Sequence, residues 1–196
     1  LRFSKGEIAA DGFIKNETNS KKTGTSIRWR PDLDVFKEID IPLSFYQDVM
    51  RKQSIVNPSI NFVLKDEASD LVFEYKYDNG ILDYVHEVSD NKQFTEVTFF
   101  EDEGKGKDRE DMPEYKVKAQ IAFTFNNEIN LLEYFHNSSF LEHGGSPDKA
   151  VRNAFVNEMD KFIKQLNKYT KNEKKISFID IQDSLILVST SFSTIT

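Results

Sequence analysis

Cysteine is absent from this chain of 196 residues, and tryptophan occurs only once. The lack of cysteine excludes a disulfide scaffold, a thiolate metal site and cysteine catalysis, and it fits a cytoplasmic location. No apolar run approaches the roughly 20 residues that a membrane helix needs, and Leu1 to Lys5 lack the apolar core of a signal peptide. We therefore expect no membrane segment, and either one large domain or one domain with a piece of another.

The net charge of −7 argues against a free-standing nucleic-acid-binding protein. The charge is unevenly spread, since eight basic and three acidic residues lie between Lys149 and Lys175, giving this segment +5 against −12 for the rest. A basic helix on an acidic body is able to face phosphate. A solvated helix surface with no ligand is the alternative interpretation.

The amino-terminal residues predict short strands. Phe3 to Ile8, Gly12 to Ile14 and Thr25 to Trp29 are separated by polar turns, and Pro31 fits only the end or edge of a strand. The chain begins with Leu1 inside a predicted strand, so we expect a piece of a longer protein. Residues 32–36 predict a short turn or helix.

The remaining sequence predicts a mixture of helices and strands. Apolar periodicity predicts helices over 43–54, 80–88, 147–166 and 177–183, and strands over 60–64, 71–77, 96–100, 115–125, 129–135 and 185–192. The charged tract 101–114 predicts a loop too polar to pack, and 136–146 predicts another loop. Ser146 and Ser177 are candidate helix caps. The pattern indicates an α+β or mixed α/β fold, with a mixed sheet covered on one face by helices and 185–192 as a central strand.

Three polar patterns do not meet the requirements of a site. Gly104 to Lys107 lacks the strand, helix and Ser/Thr of a phosphate loop, and is expected at a solvated hairpin tip. The acidic residues 101–103 lack the spacing of cation ligands. His86, His136 and His143 are not spaced for zinc, so no metal site is predicted.

Two patterns remain as candidate sites. The paired glycines Gly144-Gly145 precede the longest helix, where positive φ and close backbone approach would favour a ligand. A tight turn without a ligand is the alternative there. Arg152, with Lys149 beside it, lies one turn into that helix, which offers few acids to pair with it. Its guanidinium is a candidate phosphate ligand, and a solvated or ion-paired arginine is the alternative.

The order of short motifs resembles that of the ATPase-bearing B subunit of bacterial type II DNA topoisomerases, DNA gyrase and topoisomerase IV. The resemblance covers nearly the whole chain, and its landmarks are Phe3-x-x-Gly6, Lys22-Thr23-Gly24-Thr25 before Pro31-Asp32, Ile55-x-Asn57-Pro58-x-Ile60, Tyr77-x-x-Gly80-Ile81, Phe135-x-Asn137-Ser138 with Gly144-Gly145-Ser146 through Arg152, and Asp180-Ile181-x-Asp183-x-Leu185. Pro147 and Ser184 depart from the family, which has histidine and glycine there.

The resemblance implies that residues 1–32 are the last strands of a GHKL-type ATPase domain and that 33–196 are a transducer domain like domain 2 of ribosomal protein S5. It implies that Thr25 and Ile27 lie at the rim of the ATP pocket, and that Arg152 and Lys149 face the cavity through which DNA passes. ATP and Mg²⁺ would then act in the full-length enzyme, with catalytic residues outside this fragment. The implied partners are double-stranded DNA, the A subunit and a second copy of the ATPase-bearing subunit.

Two other functions compete with this interpretation. A mismatch-repair or chaperone-type GHKL protein shares the second domain, although those families lack the combination of the Gly24 to Asp32 and Gly144 to Arg152 motifs. A stand-alone module that binds nucleic acid or protein through the basic helix is the other alternative. Such a module would bind measurably alone, with an affinity that falls steeply as salt rises.

Overall fold

The structure, a computed structural model, describes residues 3–4, 7–8, 17, 19–28, 32–107 and 109–194. The chain divides into two compact units, Leu1–Asp40 and Ile41–Thr196. Among the described residues, none of the helices combines the length and the apolar character that crossing a bilayer requires.

The first unit contains a small antiparallel hairpin. Strands β1 (Phe3–Ser4) and β2 (Glu7–Ile8) pair with Phe3 opposite Ile8, so the single strand predicted over 3–8 is two short strands. Thr25 to Arg28 are exposed and lie in no strand, and the strand predicted there is wrong over its described residues. Alternation alone does not make a strand without a neighbour to pair with. Residues 12–14 and Trp29 lie outside the described residues.

The predicted turn at 32–36 is confirmed. The amides of Val35 and Phe36 both donate to the carbonyl oxygen of Asp32, at 3.1 and 2.8 Å. The Asp34 amide donates to Asp32 Oδ1 at 2.9 Å, which is the local side-chain bond that makes Asp a turn residue.

The second unit opens with a helix and a hairpin close to their predicted positions. Helix α1 (Leu43–Val56) ends at Asn57, because the residue before Pro58 is kept out of the helical region. Strands β3 (Phe62–Asp66) and β4 (Leu71–Tyr75) form a two-stranded antiparallel sheet. Helix α2 (Ile81–Ser89) follows, as its apolar periodicity predicts.

The central element is a five-stranded mixed sheet. Its strands are β5 (Thr98–Gly106), β6 (Tyr115–Phe125), β7 (Leu131–His136), β8 (Ser139–Phe140) and β9 (Leu185–Ser193). The spatial order is β5-β6-β9-β7-β8, and β9 runs antiparallel to β6 and parallel to β7. The prediction of a central carboxyl-terminal strand is confirmed.

Helices cover both faces of this sheet, which corrects the prediction of one covered face. On one face, Val85 of α2 and Ile55 of α1 pack with Ile186 and Val188. On the other face, helices α3 (Gly145–Gln165) and α4 (Phe178–Gln182) pack on the sheet, and the members of this second cluster include Val151, Phe178, Ile181, Leu185 and Leu187. The apolar run in β9 is typical of a strand buried on both faces.

The charged tract 101–114 is not a continuous loop. Glu101 to Gly106 extend β5 along the edge of the sheet, and Lys105 lies opposite Lys116 of β6. Gly104 and Gly106 therefore lie in a strand rather than at a hairpin tip. Backbone pairing with β6 keeps these exposed residues extended, although their side chains bury little surface.

The loop predicted at 136–146 contains a tight hairpin. Asn137 and Ser138 both have positive φ, 47° and 64°, the geometry of a two-residue turn that connects twisted antiparallel strands. The short β8 follows this turn and pairs Phe140 with Phe135.

Helix α3 begins earlier than predicted. Its cap position is Gly144, so Ser146 lies inside the first turn, where Pro147 has no amide hydrogen to leave unpaired. Of the predicted apolar stripe, Val151, Phe155 and Met159 pack on the sheet. Phe162 and Leu166 are 57% and 50% exposed, so the second half of the stripe does not reach this core.

Candidate functional site

The candidate phosphate ligand Arg152 lies near the start of α3 and is held on two sides. Its Nε donates to Asp148 Oδ2 at 2.7 Å, one turn earlier on the same helix. Its Cζ lies 4.4 Å from the centre of the Phe178 ring of α4, a cation–π contact. The expectation that this arginine has few acids to pair with is therefore wrong, because Asp148 lies just before the basic segment. The Arg152 side chain is still 40% exposed.

The side chain of Asp148 is itself enclosed. It is 19% exposed and lies in the first turn of α3, where the helix dipole favours a negative charge. The neighbouring Tyr134 is 3% exposed, and its hydroxyl makes no hydrogen bond of normal geometry within the described residues. Burial, and after it the charge of Asp148, raise the pKa of Tyr134.

The paired glycines have a packing role in this turn. Gly144 has φ of +68°, and a Cβ there would lie 2.5 Å from Asp148 Cβ and 3.3 Å from Tyr134 Cδ2. Only glycine combines that backbone conformation with that close approach. The alternative of a tight turn is thus sufficient to explain Gly144, and no ligand is needed to account for it.

Lys149 and the rest of the basic segment are partly neutralised. Lys149 is exposed on α3. Lys161 pairs with Glu158 at 2.6 Å, and both Lys164 and Lys175 lie near Asp160 Oδ2, at 2.7 and 3.7 Å. The segment is therefore less basic as a surface than its composition indicates.

Thr25 and Ile27 belong to the first unit and are exposed, with Ile27 at 77%. The structure does not bring them together with Arg152 and Lys149 in one site. Within the described residues, no group of three or more His, Asp or Glu side chains has a metal-binding arrangement.

A second polar cluster was not predicted from the sequence. Arg51 Nη2 lies 2.5 Å from Glu87 Oε1, and the Tyr77 hydroxyl donates to Glu87 Oε2 at 2.7 Å. These three side chains line an open pocket of about 610 Å³ between α1, β4 and α2. Burial raises the pKa of Tyr77 to about 12. Arg51 and Glu87 satisfy each other, so this cluster ties two helices together and presents no free ion.

Comparison with known proteins connects this architecture with one family. The family model described as DNA gyrase B matches residues 80–195, which run from α2 through β9. The DNA gyrase B protein of Mycoplasma genitalium is 26% identical over 96% of this chain, and the B protein of DNA topoisomerase 4 from Streptococcus pneumoniae is 22% identical over 95% of it. The chain spans about 30% of the length of the first relative and 28% of the second.

A solved structure shares the fold. It is the 43K ATPase domain of Thermus thermophilus gyrase B in complex with an aminocoumarin, with a TM-score of 0.57 and 13% identity. The match covers 83% of this chain and 43% of that one. At this identity the likeness concerns the fold alone. Since the family model covers more than half of the sequence, including the sheet and the Arg152 helix, the chain belongs to the DNA gyrase B family.

Proposed function

We propose that this chain is a transducer region that couples ATP binding and hydrolysis to DNA strand passage in a cytoplasmic type II topoisomerase of bacteria. Residues 33–196 form the transducer domain, and residues 1–32 are the last strands of a GHKL ATPase domain. The match of the DNA gyrase B family to residues 80–195 carries this proposal. The same match favours this function over a mismatch-repair or chaperone-type relative.

The architecture of the second unit suits mechanical coupling. One sheet carries a helical layer on each face, and β9 contributes side chains to both layers. Coupling requires that ligands stabilise one arrangement of the domains more than another. A layered body of this kind transmits such a difference as a rigid unit, because packed cores do not deform continuously.

The nucleotide part of the proposal concerns the first unit. Thr25 and Ile27 contribute to the rim of the ATP pocket in the full-length enzyme, where ATP and Mg²⁺ act together. The exposure of Ile27 in this chain leaves its side chain available to a ligand. No catalytic role is proposed for a residue of this chain.

The DNA part of the proposal concerns α3. Arg152 and Lys149 face double-stranded DNA inside a homodimer of the ATPase-bearing subunit, which works with the A subunit. The support is that Arg152 retains 40% of its side-chain surface and Lys149 is exposed on the same helical turn. Guanidinium and ammonium groups are the usual ligands of DNA phosphates.

The test is the substitution Arg152→Ala in the full-length protein assembled with its A subunit. We expect the rate of strand passage to fall about tenfold, the scale of losing one well-placed transition-state contact, with little change in the midpoint of urea unfolding. Lys65→Ala, which removes an exposed lysine from the β3–β4 hairpin, is the charge-matched control.

Unchanged strand passage in Arg152→Ala would remove the DNA role of this residue. Unfolding of the same variant would assign Arg152 to structure instead. The Lys65→Ala control is expected to pass strands at the normal rate.

A further inference from the structure

The guanidinium of Arg152 is held so that one edge stays open. Its Nε is occupied by Asp148 at 2.7 Å, and one face lies on the Phe178 ring at 4.4 Å. An arginine has five N–H donors, of which four belong to the two Nη nitrogens. Among the described residues, no hydrogen bond or ion pair uses these Nη groups of Arg152. The open edge therefore has the parallel donors that bind a phosphate through two hydrogen bonds.

The residue that holds Arg152 is fixed by its own surroundings. Asp148 lies against Gly144, where no Cβ intervenes, and beside the buried Tyr134. Its side chain is half as exposed as that of its partner, 19% against 40%. An anchored carboxylate with a more exposed arginine differs from an ordinary surface pair, in which both side chains move freely.

We propose that Asp148 is a positioning residue, which orients Arg152 so that its Nη edge binds a phosphodiester of the passing DNA duplex. This inference rests on the proposed function and deepens it. Phe178 supports the same orientation from the face of the guanidinium. The occupant of the open edge is a backbone phosphate, and base sequence plays no part in this contact.

The proposal predicts a result opposite to that of simple electrostatics. Removing Asp148 raises the net charge of the helix by one, and charge alone would then strengthen DNA binding. If orientation matters, loss of Asp148 slows strand passage in spite of the added positive charge. The sign of the effect separates a positioning residue from a counter-charge.

The experiment compares full-length proteins assembled with the A subunit and assayed for strand passage and for binding of a DNA duplex. We expect Asp148→Ala to slow strand passage about tenfold, as Arg152→Ala does, without weaker duplex binding. Asp148→Asn retains an oxygen that accepts from Nε, and is expected to restore most of the rate. Glu158→Ala removes an exposed acid from the same helix and is the control that leaves the rate unchanged.

The outcomes separate the two proposals. A normal or faster rate in Asp148→Ala, with a slow Arg152→Ala, overturns the positioning role and leaves the proposed function standing. An Asp148→Asn variant as slow as Asp148→Ala also overturns it. A normal rate in Arg152→Ala overturns the DNA role and the positioning role together. If Asp148→Ala fails to fold, Phe178→Leu replaces it: a slower rate supports the inference and a normal rate overturns it.

Discussion

The hydroxyl of Tyr169 donates a hydrogen bond of 3.0 Å to Oδ1 of Asp160 and accepts one of 3.0 Å from the amide of Ile176. Asp160 lies on α3, whereas Tyr169 and Ile176 belong to the segment that follows it. One phenol thus joins the helix to the connection leading to α4. The lysines of this segment pair with Asp160 as well.

Tyr169→Phe is expected to destabilise the chain by about 1–2 kcal/mol, since it removes two hydrogen bonds and leaves the Ile176 amide without its partner. Urea unfolding followed by circular dichroism measures this difference. Tyr75→Phe is the matched control, because no hydrogen bond of the Tyr75 hydroxyl occurs within the described residues. Equal midpoints for the two variants would contradict the bridging role of Tyr169.

Gly144→Ala is expected to destabilise the chain by at least about 2 kcal/mol, because left-handed backbone is costly for alanine and the new Cβ would lie 2.5 Å from Asp148 Cβ. Gly104→Ala provides the comparison. Gly104 lies in β5, and a Cβ there meets no atom within 4 Å. The same urea experiment on both variants checks this prediction, which fails if Gly144→Ala unfolds no earlier than Gly104→Ala.

Helix α4 carries a pH-dependent contribution at its start. Asp180 accepts hydrogen bonds from the Ser177 hydroxyl and the Ser177 amide, at 2.6 and 2.8 Å. These bonds, the hydroxyl first, lower the pKa of Asp180 below its ordinary value of 3.8. A lowered folded-state pKa gives stability that is fully present above 3.8 and is lost as the pH falls through the folded value.

Asp180→Asn is therefore expected to be less stable than the unaltered chain at pH 7, with the difference shrinking as the pH falls below about 4. Unfolding midpoints in urea, measured for both chains from about pH 7 to about pH 3, test this across the range in which the carboxylate is protonated. Asp183→Asn, at the end of the same helix, is the control. A difference that stays constant across the whole range would rule out the carboxylate as the cause.

Sequence patterns predicted the elements whose apolar residues repeat regularly. The faces of α1 and α2, and the alternation in β6, each follow from burial of one side, so their positions were predicted within a few residues. The apolar run Leu185 to Val188 likewise identified β9 as a central strand. That run also contained the information that both sheet faces are covered, a feature that the prediction of one covered face missed.

Elements that are determined by backbone pairing could not be read from the side chains. The acidic part of β5 is exposed and has no apolar alternation, and it is extended because β6 pairs with it. For the candidate site, the sequence singled out Arg152 but not its partner Asp148, nor Phe178, which lies far along the chain on another helix. Contacts between distant positions depend on the packing of α3 against α4.

Leu187 and Val188 are consecutive residues of β9, yet their side chains enter opposite cores. A sideways displacement of the Arg152 helix is therefore separated from α2 by the thickness of a single peptide plane. Loosening of either layer withdraws support from the other, so the two halves of this body are expected to melt in one step and to tilt as one plate.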